Sequence, residues 1–459
     1  MKRRQFLGYA GLGAAAMALP VPAAAAESRP ARPNLLFLFA DQMHGFALGC
    51  MGDGEYRTPN LDRLAKEGTL FRAAYSSAPV CTPFRGTLFT GRYGSETGIL
   101  ANERPLPKGE KTLAACLNEG GYRTGYIGKW HLGGAGNVAI PPELRGGFQE
   151  FIGYQCYNDY ASNVCFFDEE GRRIEFPKHR TDATTDIAIE RLGRMAGRPF
   201  ALFVSYQNPH YPLQPSPEYE AMFAGARVTR RPNCSDVEPY TPTASPPAPR
   251  PRENDPVFKK YGGNLDMYLR LYHAMVAQLD ANVGRLLAAL DRLGLRDTTA
   301  VVFTSDHGDM AGSHGLTNKG VAWEESTRIP FIVRAPGGPA GQTAKAPVAS
   351  VDFLPTCLGL AGLPPKQGAE GADLAPVVRG GAAEPARPVF AEMRGWCMVR
   401  QGAMKLVARR PELAPEHLFN LDADPYEMTD LVADAARVAE RQRLLDILKQ
   451  WNDRVAKRS

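Results

Sequence analysis

The stretch from Cys81 to Gly91, CTPFRGTLFTG, combines a nucleophile with the means to bind an anion. Pro83 lies near the expected start of a short helix and Gly91 just past its end, so the stretch is predicted to be helical. Cys81 and Arg85 are four residues apart and therefore share one helix face. A helix N-terminus with an arginine beside it favours an anionic ligand. Taken alone, the same pattern also fits a buried structural cysteine.

Four apolar stretches are typical of strands buried on both faces of a sheet, and polar, titratable residues follow each of them. Helical patterns separate them, at residues 59–67, 112–118, 184–194 and 266–293, which favours an α/β fold with a large, mostly parallel sheet between layers of helices. In such sheets ligands bind beyond the carboxyl ends of the strands. The four stretches and their polar residues are 34–40 with Asp41 and Gln42, 122–127 with Lys129 and His131, 200–204 with His210, and 299–304 with Asp306 and His307.

These polar residues form a donor set suited to a hard divalent cation. The oxygens of Asp41, Gln42 and Asp306 with the imidazole of His307 suit Ca²⁺, Mg²⁺ or Mn²⁺ better than structural zinc. Each residue alone fits a helix cap or a surface salt bridge equally well. The lysines, histidines and arginine around them would make the site electropositive, and its natural ligand would be a tetrahedral sulfate or phosphate ester.

The composition is that of a globular chain, with 459 residues of which 44% are hydrophobic. The formal net charge of +5 is small for this length and the basic residues are not clustered, so nucleic acid is not implied. We predict a catalytic domain at 32–385 and a small α+β subdomain at 386–459. The Pro-rich segment 230–251 is predicted to be a surface insertion.

The N-terminus is predicted to be an export signal that occupies residues 1–26. Arg3 and Arg4 precede an apolar run from Leu7 to Leu19 that is too short and too rich in glycine and alanine to span a bilayer. Small residues at 20–26 offer a cleavage site. The segment resembles a twin-arginine (Tat) signal, which predicts delivery to the periplasm by the Tat machinery. No other stretch is apolar enough to predict a membrane span.

The eight cysteines are too sparse for a disulfide scaffold, and none forms a C-x-x-C zinc pair. If Cys81 is used in catalysis, seven cysteines remain, so at least one of them cannot take part in a disulfide. Cys156 and Cys165 are the pair most suited to a disulfide by position.

Several motifs together resemble the type I, formylglycine-dependent sulfatases of the alkaline phosphatase superfamily. Cys81-x-Pro83-x-Arg85 with the residues up to Gly91 resembles the signature of that family, and GKWHLG from Gly128 resembles its second motif. The resemblance covers essentially the whole chain after the predicted signal. Further matches in order and spacing are FADQ at 39–42, TPNLD at 58–62, SDHGD at 305–309 and the tail at 418–431.

The resemblance implies that a formylglycine-generating enzyme or an anaerobic maturase oxidises Cys81 to formylglycine, whose hydrate attacks sulfur. It also implies a divalent metal, for which we expect Ca²⁺ with Mg²⁺ or Mn²⁺ as alternatives. The implied metal ligands are residue 81, Asp41, Gln42, Asp306 and His307. Asp309 is expected to orient the loop that carries two of them.

The remaining roles also follow from the resemblance. Arg85 and Lys129 would stabilise the nucleophile, with His131 nearby. Lys319 and His210 would bind the sulfate and assist the leaving group, with a protonated His210 as the acid. Asn102 is predicted to contact the substrate. The predicted activity is hydrolysis of a sulfated carbohydrate or aryl sulfate.

Two departures from the commoner family pattern leave alternatives open. Gln42 and His307 stand where a second aspartate and an asparagine are usual, a version shared with choline sulfatases and phosphonate monoester hydrolases. A phosphonate monoester or phosphodiester hydrolase is therefore one alternative. Phe84 stands where a small residue is usual, and it could crowd the site or slow maturation. A catalytically inactive, glycan-binding protein is the other alternative.

Overall fold

The computed structural model describes residues 32–52, 54–234, 260–261, 263–382 and 387–457. The predicted export signal, residues 235–251 of the Pro-rich insertion and the predicted domain boundary at 385 lie outside the described residues. No helix in the described part of the chain is both long and apolar enough to cross a membrane.

The described strands and helices alternate through most of the chain. The strands are β1 Asn34–Asp41, β2 Thr69–Phe71, β3 Ala74–Tyr75, β4 Arg123–Lys129, β5 Glu150–Tyr154, β6 Cys165–Phe167, β7 Arg173–Glu175, β8 Phe200–Pro209, β9 Thr299–Ser305, β10 Arg328–Ile329, β11 Phe331–Arg334, β12 Gln342–Ala344, β13 Val348–Ala349, β14 Val389–Glu392, β15 Trp396–Gln401, β16 Met404–Arg409 and β17 Ala414–Asn420. The helices are α1 Pro59–Lys66, α2 Cys81–Thr90, α3 Gly94–Thr97, α4 Leu113–Glu119, α5 Arg180–Met195, α6 Pro217–Phe223, α7 Leu265–Arg292, α8 Glu324–Thr327, α9 Phe353–Leu360, α10 Ala375–Val378 and α11 Val438–Ala456.

The largest sheet has the strand order β12-β2-β11-β9-β1-β8-β4-β5-β6-β7. Its middle, from β9 to β5, is parallel, and antiparallel pairings occur toward both edges. The four predicted strands are β1, β4, β8 and β9, which are neighbours in this middle part. The predicted fold class is therefore confirmed, and the carboxyl ends of these strands meet at one edge of the sheet.

Strand β1 shows how the centre of the sheet is packed on both faces. Leu36 and Leu38 belong to the apolar core on the face covered by α5 and α7. Leu35 and Phe37 belong to the core on the opposite face, with α2, α4 and α9. Because successive side chains of a strand point to opposite faces, an uninterrupted apolar run fills both cores at once.

Helix α2 begins at Cys81 and ends before Gly91, which adopts the left-handed conformation with φ 68° that favours glycine. The prediction of this helix is confirmed. The ring of Phe84 is fully buried and lies 6.4 Å from the ring of Phe39 and 6.3 Å from that of Phe353. Phe84 therefore packs into the apolar core beneath the helix.

The C-terminal part forms an antiparallel sheet, β14-β15-β16-β17, on which α11 packs. Its apolar core also contains Tyr75 and Val351 from the preceding part of the chain, so the two parts share buried side chains. All eight cysteines are free, including Cys156 and Cys165, so the pairing considered from the sequence is not formed.

Candidate active site

The carboxyl ends of β1, β4, β8 and β9 bring the predicted site residues together. Asp41 is the last residue of β1 and Lys129 the last of β4, while His210 and Asp306 directly follow β8 and β9. Cys81, the first residue of α2, lies among them. One potential ligand atom from each of Asp41, Cys81, Asp306 and His307 lies within 4.8 Å of the others, and all four residues are buried.

The thiol of Cys81 lies among polar side chains. Its Sγ lies 3.2 Å from Nε2 of His307, 3.5 Å from Nζ of Lys129 and 3.6 Å from Oδ1 of Asp41. Burial alone would raise the pKa of Cys81, but the positive charges of Lys129 and Lys319 outweigh it and hold the pKa well below the usual value. The residue at position 81 therefore occupies a setting that stabilises negative charge.

Two cations compensate the buried carboxylate of Asp41. Nζ of Lys129 lies 2.6 Å from Oδ2 of Asp41, and Nη2 of Arg85 lies 3.3 Å from the same oxygen and 3.4 Å from Oδ2 of Asp306. Burial would raise the pKa of Asp41, but Lys129 and then His210 and Lys319 lower it. Arg85 is fixed further by Nη1, which donates to Oγ of Ser205 at 2.8 Å and to the carbonyl of Lys129.

Asp306 and Asp41 repel one another in a way that a divalent cation would relieve. Burial and then the charge of Asp41 raise the pKa of Asp306 to about 6. Oδ1 of Asp306 lies 3.3 Å from Nε2 of His307, and the other ring nitrogen of His307 lies 3.0 Å from the carbonyl oxygen of Gly308. That bond orients Nε2 toward the carboxylates. Two carboxylates and one imidazole fit a hard divalent cation.

Gln42 lies between Lys319 and Asp309, with a left-handed backbone at φ 70°. Its Oε1 accepts from Nζ of Lys319 at 2.6 Å, and its Nε2 donates to Oδ2 of Asp309 at 2.6 Å. The hydroxyl of Tyr268, in the first turn of α7, donates to the same Oδ2 at 2.5 Å. Tyr268 was not expected from the sequence, because a tyrosine within an amphipathic helix has the pattern of an ordinary core residue.

Burial lowers the pKa of the two histidines beside the thiol. The imidazole of His131 faces Cys81, and burial lowers its pKa. Burial and then Lys319 lower the pKa of His210 to about 4. The sequence does not reveal this effect, because it depends on how completely the ring is removed from water, and the role of His210 as the acid stays a prediction.

Asn102 lies beside the start of α2, and its predicted contact with the substrate stays a prediction. Its Oδ1 accepts from the backbone N–H of Thr82 at 3.1 Å, so the side chain binds the first turn of α2. It thereby satisfies one of the N–H groups that have no partner within the helix. The structure gives Asn102 a role in holding the helix that carries Cys81.

Residues 33–363, which include every site residue described above, match the family model described as Sulfatase. The chain belongs to the sulfatase family. Residues 312–454 also match the model described as N-sulphoglucosamine sulphohydrolase, C-terminal. The protein is thus a sulfuric ester hydrolase of the alkaline phosphatase superfamily, and the family and the class of reaction predicted from the motifs are confirmed.

Individual sulfatases resemble the chain over most of its length. An ulvan-active sulfatase of Formosa agariphila is 33% identical over 424 residues, which cover 88% of this chain and 78% of the relative. An N-acetylglucosamine-6-O-sulfatase of Bacteroides thetaiotaomicron is 27% identical and covers 96% and 90%, respectively. A solved structure described as a complex with its substrate D-glucosamine-2-N,6-O-disulfate superposes with a TM-score of 0.82 at 25% identity, covering 93% of this chain and 98% of that one.

Proposed function

We propose that this sulfatase removes sulfate ester groups from a sulfated carbohydrate, with formylglycine at position 81 as the nucleophile and a divalent cation, foremost Ca²⁺, beside it. The observation that carries the proposal is the position of Cys81 Sγ, at the start of α2 and in contact with His307, Lys129 and Asp41. The sulfur stands for the hydroxyl groups of an aldehyde hydrate, which would be attached through the same side chain.

The names of the similar proteins support a carbohydrate as the class of substrate. One relative is named for activity on ulvan, one for the 6-O-sulfate of N-acetylglucosamine, and the superposed structure holds a sulfated glucosamine. An aryl sulfate remains the simpler substrate that the same site would take, because the sulfate-binding groups do not depend on the leaving group.

Asp41, Asp306 and His307 would hold the cation, with Gln42 beside them. When bound, the cation would neutralise the repelling carboxylates, lower the pKa of the nucleophilic hydroxyl and attract a sulfate oxygen. An aldehyde hydrate would offer one hydroxyl for attack and a second whose deprotonation releases sulfate. Arg85 would keep both carboxylates in place, since it contacts one oxygen of each.

Lys129, Lys319 and His210 would bind the anionic ester. Lys129 and Lys319 supply positive charge next to position 81. Burial and then Lys319 lower the pKa of His210, and an anion bound beside it would raise that pKa by opposing the effect of Lys319. That shift would give His210 the proton which the departing oxygen requires.

The proposal also includes the route by which the enzyme matures. Arg3 and Arg4 support export to the periplasm through the Tat machinery, as expected for a twin-arginine signal. Pro83 and Arg85 stand at the positions that, in the resembled family, a formylglycine-generating enzyme or an anaerobic maturase requires.

The proposed function is tested with protein that was coexpressed with a formylglycine-generating enzyme. Sulfate release is measured by ion chromatography from 4-nitrophenyl sulfate, N-acetylglucosamine 6-sulfate and ulvan, and 4-nitrophenol release from an aryl phosphonate monoester. We expect the highest kcat/KM with one of the saccharides. A higher kcat/KM with the phosphonate, or no sulfate release from any of these substrates, would contradict the proposal.

A further inference from the structure

Arg231 is held firmly at the wall of a cavity of about 450 Å³. Its Nε donates to Oε1 of Glu325 at 2.8 Å. Its guanidinium group lies 3.9 Å from the ring centroid of Phe46 and 5.0 Å from that of Tyr426. A side chain gripped at Nε and stacked between two rings has little rotamer freedom left to lose when a ligand binds.

The terminal nitrogens of Arg231 remain available. Among the described residues, neither Nη1 nor Nη2 makes a hydrogen bond, and the side chain is 20% exposed while its partner Glu325 is only 1% exposed. The buried partner therefore fixes Nε, and both Nη groups are left without a hydrogen-bond partner among the described residues. A guanidinium with two parallel N–H donors matches the oxygens of a carboxylate or a sulfate.

Glu325 is itself fixed by more than the arginine. Nδ2 of Asn233 donates to Oε1 of Glu325 at 2.9 Å and lies 3.1 Å from Nε2 of His314. The same nitrogen donates to the backbone carbonyl of Tyr426 at 3.0 Å. This network connects the segments that carry Arg231, the loop before α8 and the C-terminal part, so the position of the arginine is determined from three sides.

Two segments at this cavity also carry residues of the catalytic site. Phe46 and Met51 line the cavity and lie between Asp41, the last residue of β1, and α1. Glu325, which accepts from Arg231, lies six residues after Lys319. A volume of about 450 Å³ falls within the range of small-ligand sites. Phe46, Tyr426 and Pro425 give it apolar walls, which suit the C–H faces of a sugar ring.

We propose that this cavity is a second anion subsite, in which Arg231 binds a carboxylate or a second sulfate of the saccharide whose ester is cleaved at position 81. This inference rests on the proposed function and adds that the preferred substrate carries at least two anionic groups. Glu55 lines the same cavity and opposes an anion there, while its carboxylate accepts from the backbone N–H of Thr229 at 2.8 Å. The selectivity of the subsite therefore depends on the balance between Arg231 and Glu55.

The test uses a ratio that is insensitive to how much of a preparation carries formylglycine. For each variant, kcat/KM is measured with 4-nitrophenyl sulfate and with three 6-O-sulfated disaccharides, whose second sugar carries a carboxylate, a sulfate or no charge. We expect wild-type enzyme to favour a charged disaccharide over the uncharged one by roughly tenfold, the size expected for one charge-assisted hydrogen-bonded pair.

Arg231→Gln is expected to reduce this preference to about one, and Arg231→Lys to an intermediate value because a lysine keeps the charge and loses the paired donors. Glu55→Gln is expected to increase it. Whichever charged disaccharide loses its advantage identifies the group that Arg231 binds. A preference that is absent in wild-type enzyme, or unchanged in Arg231→Gln, would overturn the subsite. Failure of the wild-type enzyme to hydrolyse any sulfate ester would instead contradict the proposed function.

Discussion

Gln42 and Asp309 share a hydrogen bond that fixes which end of an amide faces the catalytic centre. Nε2 of Gln42 donates to Oδ2 of Asp309 at 2.6 Å, so Oε1 is left to accept from Lys319. Asp309 is buried, and it also accepts from Tyr268 and from the backbone N–H groups of Ala311 and Asn318. A carboxylate with four donors cannot rotate without losing several of them.

Asp309→Asn should therefore impair catalysis without removing any group that touches substrate. The replacement amide offers only one oxygen, so Gln42 is no longer confined to a single orientation and Lys319 loses a fixed partner. We expect kcat/KM to fall roughly 10- to 100-fold, as for other residues that orient metal-site groups, together with weaker metal binding. Steady-state kinetics and metal titration of the same preparation measure both effects.

Tyr268→Phe gives a milder version of the same change. It removes one hydrogen bond to a buried carboxylate, for which we expect a loss of about 2 kcal/mol in stability and a smaller fall in kcat. Tyr206→Phe is the matched control, because its buried hydroxyl contacts Thr185 and no site residue. If both variants lose stability but keep the wild-type kcat and metal affinity, Tyr268 has only a structural role.

The site residues at the strand ends could be predicted because each follows an uninterrupted apolar run. Helices cover both faces of such strands, so polar groups are expected beyond the carboxyl ends of the strands, where ligands bind. The contact of Tyr268 with Asp309 could not be predicted, because the apolar neighbours of Tyr268 in α7 give it the pattern of a core residue. The pKa of His210 depends on burial by residues that are distant in sequence, and no local sequence pattern indicates that burial. The strands β2, β6 and β12, which lie at or next to the edges of the large sheet, have three residues each, too few to establish a period.

Asp306→Ala should abolish metal binding and activity together while the fold survives. The carboxylate lies at the rim of the sheet, and burial next to Asp41 makes its charge costly, so its removal leaves the core intact. Elemental analysis after exhaustive dialysis should show the metal of the wild-type protein and its loss in the variant. Asp280→Ala is the converse control, because that buried carboxylate holds the backbone of Asn60 and Leu61 at the start of α1. It should lower the melting temperature and retain the metal.

Metal at wild-type occupancy in Asp306→Ala would remove this residue from the ligand set. The identity of the ion in the native protein comes from the same measurement, for which we expect Ca²⁺.

His273 should make the protein less stable in mild acid. Burial lowers its pKa from 6.5 to about 4, against a weaker opposing effect of Glu55. His44, whose pKa is also lowered, is the other titratable group coupled to it. The unfolded chain then binds a proton that the folded protein does not, so the stability contributed by His273 is complete above pH 6.5 and is lost as the pH falls toward 4. The largest loss is about 3 kcal/mol.

The ring of His273 packs against Tyr56 at 4.1 Å, so His273→Phe keeps an aromatic ring and removes the titration. Urea unfolding at about pH 7.5 and about pH 4.5 should show a smaller acid-induced loss in this variant than in the wild type. The same replacement at half-buried His417 controls for the loss of a histidine elsewhere. An identical acid-induced loss of stability in the wild type and in His273→Phe would show that other groups cause the destabilisation at low pH.

Replacing both Arg3 and Arg4 with lysine should stop export. The twin-arginine pair precedes a weakly apolar run, and a Tat signal requires the arginines themselves and not merely positive charge. Fractionated cells should then retain the protein in the cytoplasm, whereas we expect the native sequence to deliver it to the periplasm. Undiminished periplasmic protein from the double variant would mean that another signal directs export.

Cys81→Ser should yield an enzyme that is unable to turn over repeatedly when the host contains only a maturase that acts on cysteine. Serine keeps an oxygen nucleophile next to Lys129 and His307, but it has no second hydroxyl on the same carbon. A sulfated serine would have no internal route to release sulfate, because the carbon–oxygen bond cannot collapse to an aldehyde. We therefore expect at most one equivalent of product per chain, seen as a burst without a steady state.

Mass spectrometry of the peptide that contains position 81 supplies the second measurement for this prediction. In wild-type preparations the fraction of aldehyde should increase in proportion to kcat, because unconverted chains contribute nothing. Multiple turnovers by Cys81→Ser near the parent rate, or full activity in wild-type protein that carries only the free thiol, would show that the nucleophile is not formylglycine at position 81. The buried groups around Asp41 and Asp306 would then act with a different nucleophile. The residues near Lys129 would be the first candidates, because Nζ of Lys129 lies within 3.5 Å of both Asp41 and Cys81.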